Sequence, residues 1–229
     1  MEWFVNIFKR ATADYGGIIG RDEEQRGVRF LASTFQGIER AITRGDAIRG
    51  GLALKVCSEE ARLSSFTFRL VCSNGMISTL ADEEEDFSRY RETEFEETLY
   101  RKYAELSSTA SEVAELYRQS QQQPADARLW QYVLHSLGQL QADRRWMDHL
   151  MLALMEERRR RLSGQTPERS TGLNTDINRF ELINAVTAVA RDTPEPELRW
   201  KMEELGGKLL AMPVEQAKES APEFLSEFA

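Results

Sequence analysis

Two hydrophobic periods divide this chain. Between residues 50 and 80 the apolar positions recur at every second residue. Leu52, Leu54 and Val56 alternate with Ala53, Lys55 and Cys57, and Phe66, Phe68, Leu70 and Cys72 alternate with Thr67, Arg69 and Val71. Each run predicts a strand with one buried face. Ser73-Asn74-Gly75 follows, and Asn-Gly is a strong hairpin signal because both residues tolerate positive φ. Met76 to Leu80 is the expected returning strand. An antiparallel register with Val56 opposite Phe66 gathers the even-numbered apolar residues on one face, since side chains alternate strictly along a strand. Arg49, Lys55, Thr67 and Arg69 then share the opposite face, which is polar and basic.

Upstream, the pattern is less decisive. Residues 2–10, EWFVNIFKR, are apolar at both parities and fit either a buried strand or a short helix. Gly16-Gly17 and Gly20 mark a flexible connection. Val28 to Leu31 predicts a further strand, Phe35 to Thr43 a short helix or irregular link, and Gly45-Asp46 a turn.

From Asp82 the period changes to that of a helix. Leu99, Tyr103, Leu106, Ala110, Val113 and Tyr117 follow four-three spacing, and the acids of 82–86 suit a helix N-terminus. Gln121-Gln122-Gln123-Pro124 interrupts this run, because proline removes a donor and clashes with the preceding turn. A second run follows in Trp130, Val133, Leu137, Leu140, Met147, Met151 and Leu154, with Arg144 as its polar entry. Two helices joined by a short loop predict an antiparallel hairpin. At ~35 residues each they would reach about 50 Å, which exceeds what a small sheet covers and predicts an arm or an intersubunit coiled coil. Residues 163–175 are a loop by composition. Thr175 or Asp176 is the expected cap of a helix with Phe180, Ile183, Val186, Thr187 and Ala190 on one face. Pro194 and Pro196 end it and start another, in which Gly206-Gly207 requires close packing against a neighbour to offset their low helix propensity.

The expected fold is therefore α+β. A small antiparallel β-sheet (1–80) is followed by a long antiparallel α-hairpin (81–163), a C-terminal helix pair packing on the rest (164–212) and an acidic tail (213–229).

Composition narrows the chemistry. The chain has 229 residues, a formal net charge of −8 and two cysteines. No stretch approaches the roughly 18 apolar residues of a membrane helix, and the start lacks the features of a signal peptide, so a cytoplasmic protein without membrane attachment is expected. Cys57 and Cys72 do not face each other in the register above, so they are expected to be small buried hydrophobes. Charge is uneven: the sheet region and the second long helix are mildly basic, and the other helices are acidic. An acidic total opposes nonspecific duplex binding but leaves room for a local basic groove. His135 and His149, four helical turns apart, cannot share a metal. No phosphate loop, dinucleotide fingerprint, zinc-protease helix or nucleophile elbow occurs. The acids of 82–86 and 92–97 have the character of a solvated helix face. No catalytic residue, metal ligand or cofactor is assigned, and the expectation is a protein that is not an enzyme.

Cations supply the remaining candidates. Arg29, Arg49, Lys55 and Arg69 form the basic sheet face, and Arg158, Arg159, Arg160 and Arg161 close the second long helix, where they complement its dipole or contact phosphate.

A family resemblance runs through the same stretch. GDAIRGGLALKVCSEEARLSSFTFRLVCSNGMIS resembles the segment shared by phage/plasmid-like proteins of uncharacterised function. The matching positions are Gly45, Asp46, Gly51, Ser58, Glu59, Arg69, Leu70, Val71, Cys72, Asn74, Gly75 and Met76. A second match runs through Asn184-Ala185-Val186-Thr187, Ala190-Arg191 and Gly206-Gly207-Lys208-Leu209-Leu210. It departs from the family pattern at Cys57, where asparagine is usual, and in the acidic turn, which lacks a glycine. The resemblance covers roughly residues 20–212 and resembles a short form. It transfers no active-site residue.

Two functions are expected from these features. The leading one is an oligomeric, non-catalytic phage- or plasmid-type protein that binds or anneals single-stranded DNA, in fold-level analogy with annealing proteins. The alternative is an interaction module, an anti-defence or host-takeover factor, engaging a host protein through its acidic helices. A homo-oligomer is expected in either case.

Overall fold

The computed structural model describes residues 1–43, 45–58, 60–70, 74–78, 85–88, 92–140, 145–163 and 177–212. Within them the chain is α+β, an antiparallel sheet followed by helices. Residues 2–10, which fitted either element, belong to helix α1 (Glu2–Asp14), whose Phe4, Val5, Phe8 and Ala11 are buried at helical spacing.

Strands β1 (Ile18–Gln25), β2 (Val28–Thr43), β3 (Asp46–Val56), β4 (Glu60–Arg69) and β5 (Asn74–Ser78) form a meander in chain order. Strand β6 (Glu85–Ser88) pairs with the first half of β4, and β5 pairs with the second. The glycine-containing connection expected around Gly20 is instead strand β1. Its charges hid it, and charged side chains are common on edge strands because they discourage pairing with other chains. Between Gln25 and Val28, Arg26 and Gly27 both adopt positive φ (52° and 76°), the conformation a two-residue hairpin requires.

Val28 to Thr43 is one strand rather than a strand and a separate link. The ladder with β3 shifts between Thr34 and Glu39, and this irregularity breaks the alternation that would have exposed the strand. The register of β3 on β4 also differs from expectation. Val56 pairs with Ala61, and Gly51, not Val56, faces Phe66. A tight turn, closed by Cys57 N–H donating to the Glu60 carbonyl at 2.9 Å, brings residues 61–65 into the ladder and pairs backbone groups that a longer loop would leave in water. Asn74 and Gly75 lie within β5, opposite Arg69 and Phe68, and not in a turn. Val71, Cys72 and Ser73 lie outside the described residues, as do Glu59, Leu80 and residues 82–84.

The odd offset of the register exchanges the faces. Leu31, Leu52, Leu54, Val56, Ala61 and Leu63 lie on one face and pack against α1 and the first half of α2 (Glu92–Ser120). Phe30, Ala32, Ala53, Phe66 and Ile77 lie on the other, beneath Trp200. Trp200 belongs to α6 (Pro196–Ala211), which starts with proline at its first turn.

Helix α2 buries Leu99, Tyr103, Leu106, Ala110, Val113 and Tyr117, the four-three set of the sequence. Its N-terminal half lies on the sheet, and Val113, Ala114 and Tyr117 continue into a helical core. The seam is thus occupied within the chain, and α2 is not a projecting arm. In place of one second long helix stand α3 (Ala127–Gln139) and α4 (Arg145–Ser163). Arg144 lies between them, outside the described residues. Helix α5 (Arg179–Arg191) packs against both α4 and α6 and is buried around most of its circumference. Its cap is Asn178, in a reciprocal box with Glu181, and not Thr175 or Asp176. Those two residues, the loop from residue 164 and the acidic tail 213–229 lie outside the described residues. A Cβ on Gly206 would come within 2.6 Å of Thr187 Cγ2, so glycine permits α5 and α6 to approach. No helix among the described residues is long and apolar enough to cross a membrane.

Candidate functional site

The expected basic face is divided by the register. Arg49 and Lys55 remain on one face, while Arg69 lies on the other, which α1 and α2 help to cover. Arg29, opposite Val56, shares the face of Arg69. Phe66 and Phe68, expected beneath the opposite face, stand on the face of Arg49 and Lys55, with Phe68 directly across from Arg49 and Arg62 across from Lys55.

Four arginines of the sheet, Arg29, Arg49, Arg62 and Arg69, each meet a carboxylate, whereas Arg40 donates to Ser107 and Ser111 of α2. Arg29 donates to both oxygens of Asp22 at 2.7 and 2.9 Å and to Glu2 at 3.2 Å. The Arg29 bonds, with Lys9 adding a second cation, hold the Asp22 carboxyl down at about 2 against a smaller opposing effect of burial. Arg49 donates to Glu39, and Arg62 to Asp86 at 2.9 Å. Lys55 lies 5.8 Å from the centre of the Phe30 ring.

Arg69 is the most enclosed. Its guanidinium donates to both Asp46 oxygens at 2.7–3.0 Å and to Glu157 at 2.9 Å, and it stacks 4.9 Å from the Phe180 ring centre. These groups come from β3, β4, α4 and α5, so one buried side chain ties the sheet to two helices. Glu157 also accepts from Arg160 at 2.6 Å, and Arg161 pairs with Glu181 at 2.9 Å. Burial pushes the Glu181 carboxyl up from its ordinary value, opposed by the Asn178 backbone N–H and the Arg161 charge. Removing charges from water is costly, and such a cluster persists only with its partners in place. Of the four arginines ending α4, Arg160 and Arg161 therefore hold the helix down, Arg158 is half-buried and Arg159 is exposed. Glu157 and Glu181 were not legible as site residues, because glutamates near helix ends ordinarily face solvent.

Helix α4 carries two seams of equal spacing. Leu150, Leu154, Glu157 and Arg161 face inward, the first three of them buried. Offset by two residues, or about 200° at 100° per residue, Asp148, Leu152, Met155 and Arg159 all stand exposed, flanked by Met147 and Met151. A cleft of about 780 Å³ opens beside α4, bounded by Trp146, His149, Asp192, Pro194, Leu198 and Arg26. His149 lies near Asp192, whose carboxyl is held below its ordinary value chiefly by hydrogen bonds from Arg191.

Compared with family models, curated proteins and solved structures, the chain matches none. The resemblance to phage/plasmid-like proteins rests on its quoted residues alone. Several of those residues meet in space: Asp46 pairs with Arg69, and Gly206 lies against Thr187 and Met76. Gly75 is close to Phe66 and Glu203. Gly75, Met76, Thr187 and Gly206 thus meet at a packing junction between β5, α5 and α6.

Proposed function

We propose that this chain is a non-catalytic binding protein that engages another protein through the outward face of α4. The supporting observation is the distribution of exposed apolar side chains. Of six large hydrophobic residues exposed among the described residues, Met147, Met151, Leu152 and Met155 lie on this one helix. Leu152 and Met155 are 63% and 66% exposed. Scattered exposed apolar residues are ordinary, whereas a contiguous set along one helix marks an association surface. Methionine suits such a surface because its flexible, polarisable side chain adapts to a partner. The test compares the wild-type chain with a Leu152→Glu, Met155→Glu variant, scoring association with itself by sedimentation and with other proteins by affinity capture. Loss of association with unchanged circular dichroism is the expected result. Equal association by both proteins would exclude α4 as the working surface.

Single-stranded nucleic acid is a second proposal, favoured by the placement of half-buried Phe68 across from Arg49 and of Arg62 across from Lys55. Basic groups beside an aromatic ring are what a single strand requires. The ion pairs of Arg49 and Arg62 with Glu39 and Asp86 are partly exposed, and exposed pairs contribute only ~0–1 kcal/mol, so phosphate can displace the carboxylate. Fluorescence anisotropy of a labelled oligonucleotide is expected to weaken for Lys55→Glu and Phe68→Ala and to show a flatter salt slope for Lys55→Glu. Binding unchanged in both variants would remove the sheet face from consideration.

A further inference from the structure

We infer that the outward seam of α4 pairs with the same seam of a second copy of this chain, the two helices running antiparallel about a two-fold axis. The inference rests on the proposal that α4 is the association surface and names the partner.

The carrying observation is the order of residues along the seam. Asp148, Leu152, Met155 and Arg159 follow four-three-four spacing, the repeat by which two helices keep one stripe in mutual contact. All four are exposed. The stripe carries an acid at its N-terminal end, two large apolar groups in the middle and a base at its C-terminal end. Reversed and laid upon itself, it is its own complement. Asp148 meets Arg159 of the second copy, Leu152 meets Met155, and the two-fold axis repeats each contact. A parallel arrangement would set Asp148 against Asp148 and Arg159 against Arg159, which opposes like charges. Charge order thus selects both the partner and the direction.

The neighbouring contacts leave this seam available. Among the described residues, the ion pairs in the last turns of α4 run through Arg160, to Glu156 and Glu157, through Arg161, to Glu181, and from Glu157 to Arg69. Leu150 and Leu154 are the buried hydrophobic residues that α4 gives to the chain's own core, with half-buried Trp146 and Ala153 packed beside them. Within one chain Asp148 and Arg159 are eleven residues apart, about 16 Å along the helix, so they cannot pair with each other.

That separation makes the charge swap diagnostic. Asp148→Arg alone and Arg159→Asp alone are each expected to weaken self-association by about tenfold or more, because each reversal acts at two symmetric contacts. The double variant, Asp148→Arg with Arg159→Asp, is expected to return it to within a few-fold of wild type. A fold-stabilising role within one chain would give no such rescue. As a second measurement, in a background with Cys57 and Cys72 replaced by alanine, Asp148→Cys and Arg159→Cys proteins are oxidised separately and as a mixture. Cross-linked dimer is expected from the mixture and little from either alone. Dimer from each variant alone would overturn the antiparallel order. A wild-type chain that stays monomeric to high concentration would overturn self-pairing altogether. If such a monomer still captured another protein in a Leu152-dependent manner, the α4 surface would stand and only the second copy would fall. A monomer destabilised by Leu152→Glu would instead mean that the chain's own residues cover the seam, and would also overturn it.

Discussion

Helices α2 and α4 carry apolar seams of the same spacing and put them to opposite ends. The α2 seam from Leu99 to Tyr117 is buried throughout, first on the sheet and then in the helical core. Helix α4 has an inner seam that the core takes up and an outer one that no described residue covers. A repeat in sequence states that a stripe will be apolar. It does not state whether the chain has a surface to place against it. The α2 stripe finds a sheet, a short helix and a bundle, whereas α4 has more apolar surface than its neighbour α5 can bury.

The largest expected effect comes from detaching the inner seam of α4. Arg69→Ala leaves Asp46 buried without this cation and Glu157 with Arg160 in place of two arginines, and a loss of about 3–5 kcal/mol is expected in chemical denaturation. A loss under about 1 kcal/mol would show that the cluster does not secure α4. For nucleic acid binding this also means that charge reversal at Arg69, unlike Lys55, would report on folding.

The two seams can then be compared directly. Leu99→Ala on α2 removes a fully buried side chain and is expected to cost about 2–5 kcal/mol. Leu152→Ala on α4 is expected to fall within about 0.5 kcal/mol when measured at concentrations where the chain is dissociated. Equal losses at both positions would mean that Leu152 is covered within the chain.

The smallest effect is expected at the sheet edge, where Asp22 joins β1 to Arg29 and Lys9. Its folded pKa, about 2, lies below the usual unfolded value of about 3.9. The stability it contributes is therefore complete above that unfolded value and is lost as pH falls through the folded one. Asp22→Asn is expected to flatten this part of the acid stability profile by a modest amount, since the group is partly exposed. An unchanged slope between pH 4 and 2 would assign the acid sensitivity to other carboxylates.

Much of the local structure was legible. The α2 seam, the proline that begins α6 and the close approach implied by Gly206 follow from spacing and side-chain size. β1 and the second half of β2 were hidden for opposite reasons, one by edge charges and the other by a ladder irregularity. Of the candidate cations, Arg49 and Lys55 kept a common face. Arg69 left it because a shift of odd parity moves every side chain of a strand to the other side.

The sequence by itself determined the two periods, the order of the strands before helices α2 to α6 and the charge order along α4, because these depend on residues near one another in the chain. The tertiary structure decided the register of β3 on β4, the carboxylate that each arginine meets and which α4 seam is buried. Those outcomes depend on residues far apart in sequence: Arg69 and Glu157 are separated by 88 positions. No local period encodes which distant charge will meet another; packing brings the two together, and burial then makes separating them costly.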